Sequence, residues 1–360
     1  MIKFLHAADF HLDAPFSSLS QETAAQRRRE QREAVFQLVD RCNAADCDLL
    51  LLAGDLLDSD GAWPETVEAL TEAFGRCRAQ IFLSPGNHDR YIPGSPYETT
   101  VWPDNVHIFS RNRPEPVALP ELGCVVWGAA FTSMDCPPLL ESFHVQDPER
   151  CNLMVLHGEV RANSNYNPIT EAQIAASGLA YLALGHNHQC GGPLRAGDTV
   201  YGWPGCLMGH GFDETGRKGY FLGEITDRGA VSVRFEPLPG RRYEVLHLEA
   251  GADAAAAIEA AIPPDAARDI YRIYLEGEAE APDCRALCRR FAPRFFGLTV
   301  CDHTRPPVDL WASAGEDTLK GLYLRALKAR YDRETDEAVR AQLAMAARFG
   351  LAAMEGREAP

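Results

Sequence analysis

The sequence predicts an α/β sandwich with mixed sheets, and three observations carry that expectation. Over the first 240 residues, short apolar runs alternate with helical patterns. Further strand-like runs then follow without helices between them, so the sheets mix parallel and antiparallel neighbours. Finally, five of the apolar runs end directly in a cluster of ionisable residues.

Taken in order, Ile2–Ala7 is a strand that stops at Asp9, and Thr23–Ala45 is a helix with Val35, Leu38, Val39 and Cys42 at helical spacing. Asp48–Ala53 is a strand whose continuous apolar character buries both faces. Pro64–Arg78 opens with a helix-starting proline and turns Val67, Leu70 and Phe74 inward, and Ile81–Ser84 is the next strand. Strands follow at Val106–Phe109, Cys124–Trp127, Leu153–Leu156 and Tyr181–Leu184, then at Thr199–Trp203, Gly219–Ile225 and Ala230–Phe235. Pro237-Leu238-Pro239-Gly240 marks a boundary. Beyond it the pattern runs strand (Tyr243–Leu248), helix (Asp253–Ile262), strand (Asp269–Leu275), helix (Asp283–Phe291), strand (Phe296–Cys301). In the tail Leu319, Leu322, Tyr323, Ala326, Leu327 and Tyr331 keep helical spacing, and a second helix runs from Thr335 to Phe349. The expected division is 1–240, a small α/β unit at 241–305 and a helical tail at 306–360.

Composition narrows the function classes. The 360 residues are 46% hydrophobic and 24% charged, an ordinary globular balance. No apolar run approaches the roughly 20 residues of a membrane span, and Asp9 and His11 interrupt the N-terminal run, so no secretory signal or membrane contact is expected. Eleven cysteines, without C-x-x-C and without an export signal, are read as reduced thiols of a cytoplasmic protein. The net charge of −16 disfavours non-specific wrapping of nucleic acid, although bound cations would reverse the local sign.

The chemistry sits in the five clusters: Asp9-Phe10-His11, Gly54-Asp55-Leu56-Leu57-Asp58, Gly86-Asn87-His88-Asp89, His157-Gly158 and Gly185-His186-Asn187-His188. Taken alone, each has a bland reading as a helix cap, a turn or a satisfied core histidine. Together, each after a strand, they converge on one crevice, because the carboxyl ends of parallel strands share one sheet edge. Carboxylate, imidazole and amide oxygen suit two divalent cations, and Asp55, on the most apolar strand, is the natural bridge between them.

This order of motifs resembles the calcineurin-like metallophosphoesterase superfamily, and within it the SbcD/YhaO group of DNA repair exonucleases. The likeness also rests on Leu5–Asp13, on Tyr181–His188, and on Trp203-Pro204-Gly205 leading to Gly211–Gly219. It covers about residues 1–240. The resemblance implies a four-layer αββα sandwich with a small α/β capping domain. It implies Asp9, His11, Asp55 and His188 on one metal, and Asp55, Asn87, His157 and His186 on the second, with manganese the usual ion. A hydroxide between the ions would attack phosphorus, His88 would assist the leaving oxygen, and Asp58 would orient His88. Asp89 is read either as a partner that supports the site or as a cap. DNA as substrate and an SMC-like ATPase docked on the apolar stripe Leu319–Tyr331 belong to the same implication, the bland reading of that stripe being packing on its own domain; a homodimer is a separate possibility.

Some positions depart from that pattern. Trp203 stands where relatives carry tyrosine, and His210 where arginine is common. Arg27, Arg28, Arg29 and Arg32 crowd the first helix, but Glu22, Glu30 and Glu33 flank them, so a solvated face is expected. The alternative functions are a phosphodiesterase or phosphatase for a small nucleotide or a protein phosphomonoester, and a non-catalytic scaffold for DNA ends. Aspartate rather than glutamate after Asn87-His88 argues against the protein phosphatase, and the full set of ligands argues against the scaffold.

Overall fold

The computed structural model describes residues 1–356 apart from Ser18, Ala162 and Val308. Two compact units are present: Met1–Val245 with Pro264–Arg272 and Ala292–Leu298, and Leu246–Pro263 with Ile273–Phe291 and Thr299–Pro360.

The first unit opens with β1 (Ile2–Ala7), α1 (Gln21–Ala44), β2 (Leu49–Leu52), α2 (Pro64–Arg76), β3 (Gln80–Leu83), α3 (Pro96–Thr99) and β4 (Val106–Ile108). It continues through β5 (Glu115–Leu119), β6 (Cys124–Gly128), β7 (Cys151–His157), α4 (Glu171–Ala176), β8 (Tyr181–Gly185), β9 (Gly191–Ala196) and β10 (Thr199–Trp203). After β11 (Gly219–Ile225) and β12 (Val231–Pro237) two six-stranded sheets are complete, ordered β12-β11-β1-β2-β3-β4 and β5-β6-β7-β8-β10-β9. In the first sheet β1 to β4 run parallel and β11 joins β1 antiparallel; in the second, β6, β7, β8 and β10 run parallel between antiparallel edges.

The apolar pattern explains the layering. On β2, Leu49 and Leu51 face the second sheet, where they meet Val126, Leu153, Val155 and Tyr181, while Leu50 and Leu52 face outward onto α1 and α2. A strand with two buried faces belongs at the middle of a sheet, and β2 lies there. The outer face of the second sheet is covered by Ile174 of α4 and by Phe131, Leu139 and Leu140 of a long loop. The expected four layers are therefore present, with mixed sheets.

Strands β5 and β9 carry no legible signal. Both lie at sheet edges, where Pro116 and Pro193 are tolerated; β5 turns only Val117 and Leu119 to the core around that proline, and β9 has no apolar face that would set a period. The basic turn of α1 differs from the expected solvated face. Arg27 is fully buried, on the stripe of Ala24, Gln31, Ala34 and Leu38, donating to Glu30 and to the carbonyl of Gly209 (2.9 Å).

A three-stranded sheet has the order β13-β14-β15, formed by Tyr243–Glu249, Ile270–Glu276 and Gly297–Asp302. Helices α5 (Ala254–Ala261) and α6 (Cys284–Phe291) lie between these strands in sequence. In the second unit α7 (Leu319–Tyr331) and α8 (Glu337–Met354) bury Leu324 against Ala347, with Trp311, Tyr323 and Leu351 around them. All eleven cysteines are free thiols, and among the described residues no helix is long and apolar enough to cross a membrane.

Candidate metal centre

Register fixes where the five clusters end. Ala7 of β1 stands level with Leu52 of β2, Leu52 with Leu83 of β3, and His157 of β7 with Gly185 of β8. The pairing of β1 and β2 continues past the strands, with Asp9 N donating to Gly54 O and His11 N to Asp55 O, both at 3.0 Å. The ends of the two sheets then approach closely. A Cβ on Gly185 would lie 1.9 Å from the carbonyl of Ala53, one on Gly86 2.2 Å from Asp55 Oδ1, and one on Gly54 2.6 Å from His157 Nδ1. Side chains at these three positions would hold the sheet ends apart, which explains why a glycine precedes three of the clusters.

Three of the histidines have one ring nitrogen occupied by the protein and the other turned inward. His157 Nδ1 donates to Ala53 O (2.9 Å), His11 Nδ1 to Asp58 Oδ1 (3.2 Å) and His188 Nδ1 to Glu214 Oε1 (2.5 Å), so all three present Nε2. His186 presents Nδ1 instead. Two groups result. In one, the Nε2 atoms of His11 and His188 are 3.1 Å apart, with Asp55 Oδ2 3.7 Å from His11 and Asp9 within ligand range of both rings. In the other, Asn87 Oδ1 lies 3.0 Å from His157 Nε2 and 3.2 Å from His186 Nδ1, with Asp55 Oδ2 3.3 Å from His157. Asp55 is common to both. The structure thus gathers all seven of the expected ligands and places Asp55 at their centre.

The donor set fits divalent cations. Asp9 and Asp55 are fully buried, and among the described residues neither has a lysine or arginine partner. Two buried carboxylates without fixed cations are costly unless positive charge enters. Without an ion, protons do this job. Burial alone would lower His157, but the charge and hydrogen bond of Asp55 raise it to about 9, and Asp58 and Asp55 raise His11 to about 8 against the same burial. When both rings are neutral, their Nδ1 protons are committed to carboxylates and their Nε2 lone pairs face each other at 3.1 Å, an arrangement that either a proton on His11 or a bound cation satisfies. The backbone is strained at the same place: Asp9, His11, Asp55 and His186 all have positive φ, of 55°, 43°, 51° and 96°.

The supporting residues differ from expectation in one respect. The Asp58 carboxylate accepts from His11, not from His88; His88 Nδ1 instead donates to the backbone oxygen of Asp58 (3.2 Å). His88 is exposed, is anchored by its own N–H to Asp55 Oδ1 (2.9 Å), and lines a cleft of about 360 Å³ together with His11, His188, His210 and Phe16. Asp89 turns away from the cleft and accepts from the N–H groups of Asp55, Leu56, Leu57 and Gly86 and from the Tyr97 hydroxyl, fixing the Asp55 turn. Burial and the charge of Asp55 push its carboxyl up to about 6.

Glu214 was not singled out in the sequence. It is buried and holds His188 with one oxygen and the Nδ1 and N–H of His210 with the other (2.8 and 2.7 Å). Burial raises its carboxyl, but the hydrogen bonds from His188 and His210 outweigh this and hold it well below the usual range. His210, where an arginine was expected, stacks on Phe16 at the cleft wall. Trp203 is buried and donates to Gly158 O (3.3 Å), bracing the turn after His157 rather than facing the cleft. His6, near the first motif, is a satisfied core histidine between Tyr181 Oη (2.8 Å) and Leu184 O (3.1 Å).

The chain was compared with proteins already known. The chain is 30% identical over 265 residues to the uncharacterized metallophosphoesterase YhaO of Bacillus subtilis (strain 168), covering 70% of this chain and 63% of that protein. Among solved structures it is similar to TT1561 of Thermus thermophilus (TM-score 0.40, 11% identity, 65% of this chain and 98% of that one). It is also similar to the phosphoesterase Yfce of E. coli (TM-score 0.32, 14% identity, 66% of this chain and 100% of that one). The calcineurin-like phosphoesterase family model matches residues 2–190, more than half of the sequence and all five clusters. The chain therefore belongs to the calcineurin-like phosphoesterase family, and it spans less than two thirds of the length of the relative YhaO.

Proposed function

We propose that this phosphoesterase cleaves phosphodiesters of DNA, as an exonuclease in repair, using two manganese ions and working with an SMC-like ATPase. The observation that carries the diester reading is the charge of the cleft. Among the described residues that line it, the cationic candidates are the histidines, with no lysine or arginine. A phosphomonoester brings two negative charges to such a cleft and a diester brings one, so the diester is the better match. When bound, divalent cations would supply Lewis-acid stabilisation of the phosphoryl oxygens and a more acidic water. Asp9, His11, Asp55 and His188 would hold one and Asp55, Asn87, His157 and His186 the other. The protein orients these groups: Asp58 and Glu214 fix the rings of His11 and His188, and Asp89 fixes the Asp55 turn. His88, with Nδ1 committed to Asp58 O, is left with Nε2 for the cleft, where it holds and delivers a proton to the leaving oxygen.

The ATPase reading is supported by the tail. Leu319 and Leu322 on α7 are 75% and 55% exposed, and Met345 and Phe349 on α8 are also exposed. Apolar side chains unpaired on a helical hairpin suit a partner helix. The net charge of −16 favours the second reading, a small nucleotide diester, over duplex DNA. Purified protein is expected to hydrolyse bis(p-nitrophenyl) phosphate with Mn²⁺ and to stop on chelation. Linear DNA is expected to compete for this activity better than cyclic nucleotides; the reverse order would transfer the assignment to the small nucleotide.

A further inference from the structure

Of the five tryptophans, Trp63 alone is exposed, at 47%, and it is firmly anchored. Its N–H donates to Asp13 Oδ2 (2.9 Å), and its carbonyl accepts from Thr66 N (2.9 Å) and Val67 N (3.1 Å) at the start of α2. The other oxygen of Asp13 takes the Thr66 hydroxyl (2.6 Å). Asp13 lies two residues after His11, so the backbone that carries the indole is tied to a segment that holds metal ligands.

One face of the indole is covered by Arg28, whose guanidinium carbon lies 4.6 Å from the ring centroid. Nη1 of Arg28 points to the carbonyls of Ala14 (3.5 Å) and Pro15 (3.4 Å), two residues that line the metal cleft. Its Nε is buried without a partner, and among the described residues no carboxylate pairs with it. An arginine uncompensated by acid is notable in a chain of net charge −16. The residues beside Trp63 are Gly61, Ala62, Pro64 and Glu65, small or polar, so the indole is a single ring and not part of an apolar patch.

We propose that Trp63, backed by Arg28, is a nucleobase-stacking platform at the lip of the cleft. The base of a nucleotide flanking the scissile phosphate stacks on the open indole face, and the guanidinium meets a neighbouring phosphate. This rests on the nucleotide-diester reading above and extends it by naming what is recognised besides phosphate. A flat aromatic face accepts any base, and such stacking is worth about 1–3 kcal/mol per base, roughly 5- to 150-fold in affinity. Arginine suits the role because its planar charge stacks on a ring and is retained at every working pH.

The test compares KM for a single-stranded oligodeoxynucleotide with KM for the same strand carrying abasic sites, with Mn²⁺ and the full chain. In the native protein the abasic strand is expected to have a KM higher by roughly 5- to 150-fold. In Trp63→Ala that ratio is expected to collapse to about 1, and Trp63→Phe should restore most of it. Thermal unfolding shows whether the variants are folded, and a ratio that collapses in both variants would mark a structural role and overturn the proposal. Oligonucleotide cleavage with an unchanged ratio in Trp63→Ala would overturn the platform while leaving DNA as substrate. Should only mononucleotide or cyclic nucleotide diesters turn over, with a KM that rises in Trp63→Ala and is restored in Trp63→Phe, the platform stands and DNA falls. If no base-bearing diester is hydrolysed while bis(p-nitrophenyl) phosphate is, both fall.

Discussion

Replacing Glu214 with glutamine tests whether the hydrogen bonds behind the ligands, and not the ligands alone, set metal affinity. In the native protein Oε1 accepts the Nδ1 proton of His188 at 2.5 Å while Oε2 serves both donors of His210. The remaining carbonyl of glutamine can satisfy His210, but its amide group then faces His188 as a donor. His188 must accept at Nδ1 and carry its proton on Nε2, the atom that faces His11 across 3.1 Å. A protonated Nε2 cannot bind a cation. The loss of a charge-assisted hydrogen bond is worth about 1.5–3 kcal/mol. The usual effect of removing such a support, about 10- to 100-fold in metal affinity, is of the same size. Isothermal titration with Mn²⁺ is therefore expected to show the site that uses His188 weakened by about 10- to 100-fold, with the other less affected. Acid unfolding supplies a second reading. Because the folded-state carboxyl lies below its ordinary value of 4.5, its contribution to stability is present above that pH and lost as pH falls below it. The variant should lack this loss. Native Mn²⁺ affinity in Glu214→Gln would refute the reasoning.

Three further outcomes are expected. His88→Ala should abolish turnover while metal content, measured by plasma mass spectrometry, stays near that of the native protein; loss of metal would make His88 a ligand. Gly185→Ala should lower the unfolding temperature and weaken metal binding together, since its Cβ would meet the Ala53 carbonyl at 1.9 Å and overpacking against backbone costs about 1–3 kcal/mol or more. Asp89, with its carboxyl raised from 3.8 to about 6, contributes stability below pH 3.8 that is lost as pH rises through about 6. Chelated native protein should therefore lose roughly 3 kcal/mol across that window relative to Asp89→Asn, as measured by urea unfolding at each pH.

Much of the fold was legible because the sheets are built from dense apolar runs. Leu49–Leu52 could only be a central strand, and the residue types that follow it could only be costly polar groups at a sheet end. The same logic located the clusters. What escaped was whatever depends on the partner rather than on the residue. Glu214 stands 26 residues after His188, in a loop without periodicity, and only the folded chain brings the two together. The shift of Asp58 from His88 to His11 is likewise a matter of rotamer, invisible in spacing. Arg27 lies on the buried stripe of α1, but its charge and acidic neighbours concealed the position that helical spacing assigns it. The edge strands β5 and β9 were missed because a proline interrupts each short run, Pro116 in one and Pro193 in the other, where only an edge position tolerates it.

The pairing of cations across a single carboxylate is best examined by anomalous diffraction from crystals soaked in Mn²⁺. Two peaks are expected about 3.5–4 Å apart, one among Asp9, His11 and His188 and the other among Asn87, His157 and His186, with Asp55 between them. A single peak, or density that leaves Asp55 uncoordinated, would contradict it.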